Sequence, residues 1–318
     1  MIQWRSVQDE SSGADLPEPL TSVVGDQRAA GLDSTQPPVS ELRDAPPRQV
    51  SRGGNDELTE RPPARVSIVI PAYNEGEAIV PVLTRIFEGV TLPCEVLVVV
   101  DMAEDTTVPV VTKYAETEPR LRYVVNTYGR GPANAIRYGI DQVTTPVVVV
   151  TMADGSDDPR QIDALTLLVE RGVAVAAASR YMPGGQQIGG PLIKGMLSRL
   201  AGRSLRLFTR LGTRDATNSF KAYSTEFVRA VGIDSRHGFE IGLELTAKAR
   251  RLRRPVAEIP TIWLERDTGL SNFRLMQWIP KYLRWYRFAF GRPLTVEEIR
   301  ARTAKMMKKE AKTKGKAG

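Results

Sequence analysis

The chain carries one cysteine, Cys94, and one histidine, His237, among 318 residues. A lone thiol cannot close an internal disulfide and a lone imidazole cannot build a multi-histidine centre, so thiol redox chemistry and zinc hydrolysis are poorly served. Any metal must be held by oxygen. No apolar run approaches the roughly 18 residues of a membrane span, and Met1-Ile2-Gln3-Trp4-Arg5 lacks the apolar segment of a signal peptide, so a cytoplasmic location is expected. Phosphate-cradling glycines are missing too. The turn after the first apolar run reads Pro71-Ala72-Tyr73-Asn74-Glu75-Gly76, which is neither the Gly-x-Gly-x-x-Gly of a dinucleotide site nor a Walker-type loop. A pyrophosphate here would be held by a cation and basic side chains.

Residues 1–64 have one aromatic residue, Trp4, and 8 of the 22 prolines. Such a segment buries too little apolar surface to offset its ordering entropy, and it reads as a disordered leader. The net charge of +7 is also uneven: residues 274–318 hold 13 Lys or Arg against 3 acids, a difference of +10 that leaves −3 for the rest. Two readings of this basic tail stand, a solvated disordered end or a segment drawn to anionic lipid headgroups. No nucleic-acid partner is expected.

What is present is a set of unbroken Val/Ile runs, Val66 to Ile70, Val96 to Val100 and Val147 to Val150, leading to Glu75, Asp101 and Asp154. Runs without polar alternation are strands covered on both faces, as in parallel sheets, and open α/β sheets bind ligands beyond the carboxyl ends of their strands. The three carboxylates are therefore expected to converge. Helices are predicted over 77–88, 106–117, 132–142 and 159–171, and further strands over 121–125 and 173–178. The fold class is α/β, a mostly parallel sheet flanked by helices.

From Arg171 to Arg214 there is no Asp or Glu. At about 100° per residue, Arg199, Arg203, Arg206 and Arg210 share an arc of roughly 60°, opposite Leu197, Leu200, Leu207, Phe208 and Leu211. A solvated face over a core stripe would normally be laced with acids at i+4, and none exists within this helix. A membrane-surface role is favoured. A second amphipathic stretch, Leu275 to Phe290, mixes Lys281, Arg284 and Arg287 with aromatic rings that suit a headgroup boundary or packing on the folded domain.

Across residues 65 to 275 the chain resembles the family 2 inverting glycosyltransferases of GT-A fold, within them the dolichyl-phosphate mannose synthase group. The resemblance rests on eight pieces in order: Ile70 to Glu75, Val98 to Asp101, Gly129-Arg130-Gly131 with Arg137-Tyr138-Gly139, Met152-Ala153-Asp154, Ser179-Arg180-Tyr181, Asp215 to Phe220, Gly238-Phe239-Glu240, and Arg266 to Ser271. It implies a Rossmann-like catalytic domain over 65–274, followed by an amphipathic and basic segment over 275–318. Pro71, Ala72, Tyr73 and Glu75 would meet the nucleoside and Asp101 the base, although Glu75 can equally cap the next helix.

Asp154 would ligate Mg²⁺ or Mn²⁺ bridging the donor diphosphate. The first acid of that Asp-x-Asp motif is Met152 here, which cannot serve a hard cation, so Asp157 or Asp158 is left to supply the missing ligand unless it caps the helix at Pro159. Arg266 and Arg274 would hold the donor phosphate, Asn272 standing where the group has lysine. Arg180 and Lys194 would receive the acceptor phosphate, and Asp215 and Glu244 the sugar hydroxyls. The implied partners are a nucleotide diphosphate sugar, a polyprenyl phosphate and an anionic membrane surface. A soluble hydroxyl or glycan acceptor and a non-catalytic nucleotide-sugar binder are the rival readings.

Overall fold

The computed structural model describes residues 62–189, 192–236, 238–264 and 275–314, with side chains at 192–194, 275–278 and 310–314 left aside. The expected leader, His237, Arg266 and Arg274 lie outside the described residues, as does the side chain of Lys194. Strand and helix alternate from the start: β1 (Val66–Ala72), a 3₁₀ turn (Gly76–Ile79) into α1 (Val80–Gly89), β2 (Cys94–Val100), α2 (Thr107–Ala115) and β3 (Leu121–Val125). α3 (Pro132–Asp141), β4 (Val147–Val150), α4 (Ile162–Glu170) and β5 (Val175–Ser179) follow. Then come β6 (Gln186–Ile188), α5 (Leu192–Thr209), β7 (Lys221–Ser224), α6 (Thr225–Val231), α7 (Ile241–Arg251), β8 (Val256–Pro260), β9 (Ile262–Leu264), α8 (Leu275–Ala289) and α9 (Val296–Lys314).

Seven strands form one sheet in the order β3-β2-β1-β4-β7-β5-β8, and β6 pairs with β9 in a separate ribbon. Every pairing is parallel except those of β7, which runs antiparallel to both β4 and β5. The Val/Ile runs lack alternation because both faces are covered. Ile68, Ile70, Val96 and Val98 pack with Leu83 of α1 and Leu165 of α4. Val69, Leu97 and Val99 pack on the other side with Ile136 of α3 and Leu245 of α7. The strand order reverses between β1 and β4, so the crevice beyond their carboxyl ends is where such a sheet accepts a ligand.

One reading of the tail needs correction. As far as residue 314 it is not a disordered end: Val296–Lys314 is helix α9, and Ile299 and Thr303 on it are buried. On α5 most of the apolar side faces away from the core, although Leu211 just beyond the helix is buried. Leu200, Leu207 and Phe208 are 65%, 74% and 69% exposed, while the buried positions are Gly202, Leu205 and Thr209. Gly202 is the reason the helix can sit so low, because a Cβ there would lie 1.8 Å from the carbonyl oxygen of Arg214. Arg210 leaves the helix altogether, with φ +54° just beyond its end.

Candidate active site

At the reversal point a cavity of about 460 Å³ is lined by Pro71, Ala72, Tyr73, Glu75, Asp101 and Met152, together with Arg130, Gly131, Pro132, Ala135 and Phe239. Pockets of this size suit small molecules and cofactors. All five residues expected at the nucleoside therefore share one hollow. Tyr73 stands half-exposed at it, and Glu75 opens the 3₁₀ turn without its side chain capping that turn. The backbone after β1 is fixed by Asp105, which is buried and accepts from the amides of Asn74 (3.1 and 3.0 Å) and Thr107 (2.8 Å). Asn74 takes φ +53°, a left-handed conformation that Asn tolerates better than most residues.

Asp101 has work of its own in the fold. Its Oδ1 accepts from the side-chain amide of Asn126 at 2.9 Å and its Oδ2 from the backbone amide of Gly131 at 2.7 Å. This ties the end of β2 to the N-terminus of α3, where Gly131 (φ +113°) makes a turn that L side chains rarely adopt. Each oxygen keeps lone-pair capacity for a ligand. Carboxylates, a helix N-terminus and Arg130 thus edge the same hollow, so acceptors for hydroxyl or base N–H groups stand beside donors for an anion. Asp105, Asn126, Arg130 and Phe239 carried no role from the sequence, although Arg130 and Phe239 lie inside the motif pieces.

The loop after β4 separates two aspartates. Asp154 Oδ1 accepts from the amide and hydroxyl of Ser156 at 3.0 and 2.6 Å. Asp157 points inward, its Oδ2 accepting from Thr151 Oγ1 (2.9 Å) and the Met152 amide (3.3 Å). Burial raises the Asp157 carboxyl to about 6, the nearby Asp154 charge adds to this, and the Thr151 and Met152 hydrogen bonds oppose it. Asp157 therefore braces the loop through Oδ2 from a buried position. Asp158 caps the turn at Pro159 by accepting from the Arg160 amide. No group of three or more His, Cys, Asp or Glu side chains suited to a metal occurs among the described residues.

Beyond this loop lies a buried ionic cluster. Arg180 forks onto Asp215, Nε to Oδ2 at 2.7 Å and Nη2 to Oδ1 at 2.9 Å, with its own amide adding 3.1 Å. Burial alone would raise the Asp215 carboxyl, but Arg180 outweighs it and holds the group below the usual range. Asp215 is fully buried and also accepts from the Asn218 amide, so its expected contact with sugar is corrected to a structural one. Arg180 correspondingly has its Nε and Nη2 engaged before any phosphate arrives. Lys221 of β7 is fully buried next to this pair, donating to the carbonyls of Ala216 and Asn218. Burial lowers its pKa to about 7, with Asp215 opposing. Glu244 is corrected as well: it is buried in α7, accepts from the amides of Asp234 and Ser235 (2.7 and 2.8 Å), and pairs with Lys248 at 2.6 Å.

α5 is tethered to the cluster through Ser198 Oγ and Thr217 Oγ1, 2.5 Å apart. Arg199 and Arg180 both lie over the ring of Tyr181, at 5.2 and 4.9 Å. Arg206 has an acid partner after all, Glu258 of β8 at 3.6 Å, which within-helix spacing could not reveal. Arg203 and Arg206 are exposed among Leu200, Leu207 and Phe208. The β6–β9 ribbon, with Ile188, Ile262 and Leu264 exposed, adjoins α5 where Gln187 meets Gly195. No helix among the described residues is long and apolar enough to cross a membrane.

The mostly parallel sheet flanked by helices is an α/β fold of GT-A type. Residues 67–232 match the model of Glycosyl transferase family 2, and the chain belongs to that family. It is 30% identical to the polyprenol monophosphomannose synthase of Mycolicibacterium smegmatis over 226 residues, 69% of this chain and 84% of that protein. It is 30% identical to the undecaprenyl-phosphate mannosyltransferase of Micrococcus luteus over 214 residues, 65% of this chain and 87% of that one. Among solved structures, the mannosyltransferase PcManGT from Pyrobaculum calidifontis, in complex with GDP-Man and Mn²⁺, shares the fold with a TM-score of 0.53 at 20% identity, covering 76% of this chain and 68% of its own.

Proposed function

We propose that this enzyme transfers a hexose, mannose from GDP-mannose in the first instance, to the phosphate of a polyprenyl phosphate, with inversion and with a divalent cation, at the cytoplasmic face of a membrane. The observation that carries this reading is a juxtaposition. The carboxylate-edged crevice after β1, β2 and β4 is joined, through the Asp154 loop and the Arg180–Asp215 cluster, to a helix that turns arginines and bare leucines outward together. The names of the two bacterial relatives support lipid-phosphate acceptors and mannose.

The donor set suits a hard cation of the Mg²⁺ or Mn²⁺ kind. Asp154 offers a carboxylate with only Oδ1 hydrogen-bonded to Ser156, and such cations commonly use one or two protein carboxylates and take the rest from phosphates and water. When bound, the cation would neutralise charge on the leaving diphosphate. Glu75 and Asp101 orient the nucleoside by accepting from its hydroxyls and base, each such bond being worth about 1.5–3 kcal/mol where partly desolvated. The acceptor needs no protein base, because a phosphomonoester has a second pKa near 6 and presents an ionised oxygen at neutral pH. That oxygen bonds to the anomeric carbon as the bond to the diphosphate breaks on the opposite side, so positioning does most of the work.

Purified protein with polyprenyl-phosphate vesicles, Mn²⁺ or Mg²⁺ and radiolabelled GDP-mannose should give an organic-extractable product, and UDP-glucose less of it. Asp154→Asn should lower turnover by about 100-fold or more, in the range for loss of one charge-stabilising group. Absence of product with either donor and either metal would overturn the reading, and full activity in the variant would overturn the role of Asp154.

A further inference from the structure

A second cavity, of about 510 Å³, opens among α7, α8 and α9 and shares no lining residue with the crevice above. Four of its lining residues are arginines, Arg251, Arg284, Arg287 and Arg302, and none is acidic. Arg251 is buried and spent on the fold, donating to the carbonyls of Arg292 (2.8 Å), Phe288 and Phe290 (2.7 Å each). Among the described residues its hydrogen bonds go to carbonyl dipoles and not to a carboxylate. Burial lowers its pKa, and repulsion from Arg302, Arg250 and Arg292 lowers it further, against a smaller opposing pull from Glu298. Glu298 is itself paired with Arg292. Arg287 and Arg302 are exposed and form no ion pair among the described residues.

The rest of the wall is apolar, with Leu283, Phe288 and Met306 among it. Leu283 in the wall and Ile279, one turn before it on α8, are both more than a third exposed, so exposed apolar side chains adjoin the arginines. The exposed Arg287 and Arg302 repel each other across the hollow unless an anion joins them, and guanidinium forks match phosphate oxygens in geometry as well as charge. A free phosphate would leave the apolar wall unused.

We propose that this cavity binds the phosphate headgroup of an anionic lipid, gripped by Arg287 and Arg302, with the adjoining hydrocarbon against Leu283, Phe288 and Met306. This goes beyond the transfer reaction: it is a separate lipid site, and it stands whether or not the donor is GDP-mannose.

The test is calorimetric titration of the full chain with dihexanoyl phosphatidate, a soluble short-chain lipid, beside dihexanoyl phosphatidylcholine and inorganic phosphate. Phosphatidate should bind, and the two comparators should bind at least about tenfold more weakly. Arg287→Gln with Arg302→Gln should weaken phosphatidate binding by about tenfold or more, as loss of charge-assisted hydrogen bonds does. Leu283→Asp, at an exposed position, should weaken it independently. Both arginines are exposed, so an unchanged melting curve identifies a folded double variant. The proposal is overturned if wild-type protein fails to bind phosphatidate, if inorganic phosphate or phosphatidylcholine binds as tightly, or if the folded double variant binds as well as wild type.

Discussion

The two halves of the sheet use polarity in opposite senses. From Val66 to Asp154 the strands are mostly apolar, Asp105 is the one carboxylate buried among the described residues, Glu75 and Asp101 line the crevice and Asp154 lies on the loop after β4. From Arg180 onward the order inverts: Asp215, Lys221, Glu240, Glu244 and Lys248 are fully buried, while Leu200, Leu207 and Phe208 face outward. Buried ions offset only part of their desolvation cost, and exposed leucines forgo burial worth roughly 1.5–3 kcal/mol each. The second half thus sets exposed apolar side chains beside exposed arginines and buries carboxylates in ion pairs, Asp215 with Arg180 and Glu244 with Lys248.

The contrast can be broken most forcefully at Asp215. Asp215→Ala leaves the Arg180 guanidinium buried without its carboxylate, and about 3–5 kcal/mol should be lost in urea unfolding. A loss below ~1 kcal/mol would mean that the cluster is solvated and that the inversion is only apparent.

Lys221 sharpens the comparison through pH. Its folded pKa of about 7 lies below the ordinary lysine value of 10.5, so the unfolded chain binds a proton there that the folded chain gives up. The stability it contributes is present above pH 10.5 and is lost as pH falls through 7. Wild-type stability should therefore decline by up to about 1.4 kcal/mol per pH unit between pH 10 and pH 7 from this group, and Lys221→Met should remove that slope. Parallel profiles for the two proteins would refute a buried, depressed lysine.

The smallest effect on stability is expected on α5. Leu207→Ser with Phe208→Ser should change the unfolding free energy by no more than about 0.5 kcal/mol per site, yet reduce binding to anionic vesicles. Truncating Leu83 in the first half should cost about 2–5 kcal/mol, since that side chain is fully buried against the sheet. Equal costs at the two places would erase the distinction between the halves.

Legibility in the sequence follows the same divide. β1, β2, β3 and α3 stand within two residues of their expected bounds, because their runs are long, periodic and bracketed by turns. Strand β7 was not expected: Lys221-Ala222-Tyr223-Ser224 is short and begins with a lysine, and only its place between β4 and β5 makes it a strand. The nucleoside candidates share one cavity because they follow strands directly. Asp215 and Glu244 were misassigned because a carboxylate's residue type does not say whether its partner is a ligand or a protein group. The α5 arginines were read as one set, but Arg206 has its acid 52 positions away in β8 and Arg210 lies past the helix end, both beyond any local pattern.

Taken alone, the sequence determined which segments are doubly covered strands and which acids follow them, since period and run length are local properties and parallel sheets place strand ends together. Tertiary structure decided which charges are buried, which face of α5 looks outward and that four arginines meet around a second hollow. Those outcomes depend on how closely distant segments approach, as Gly202 against Arg214 illustrates, and on whether a charged group is met by solvent, an ion or a backbone dipole.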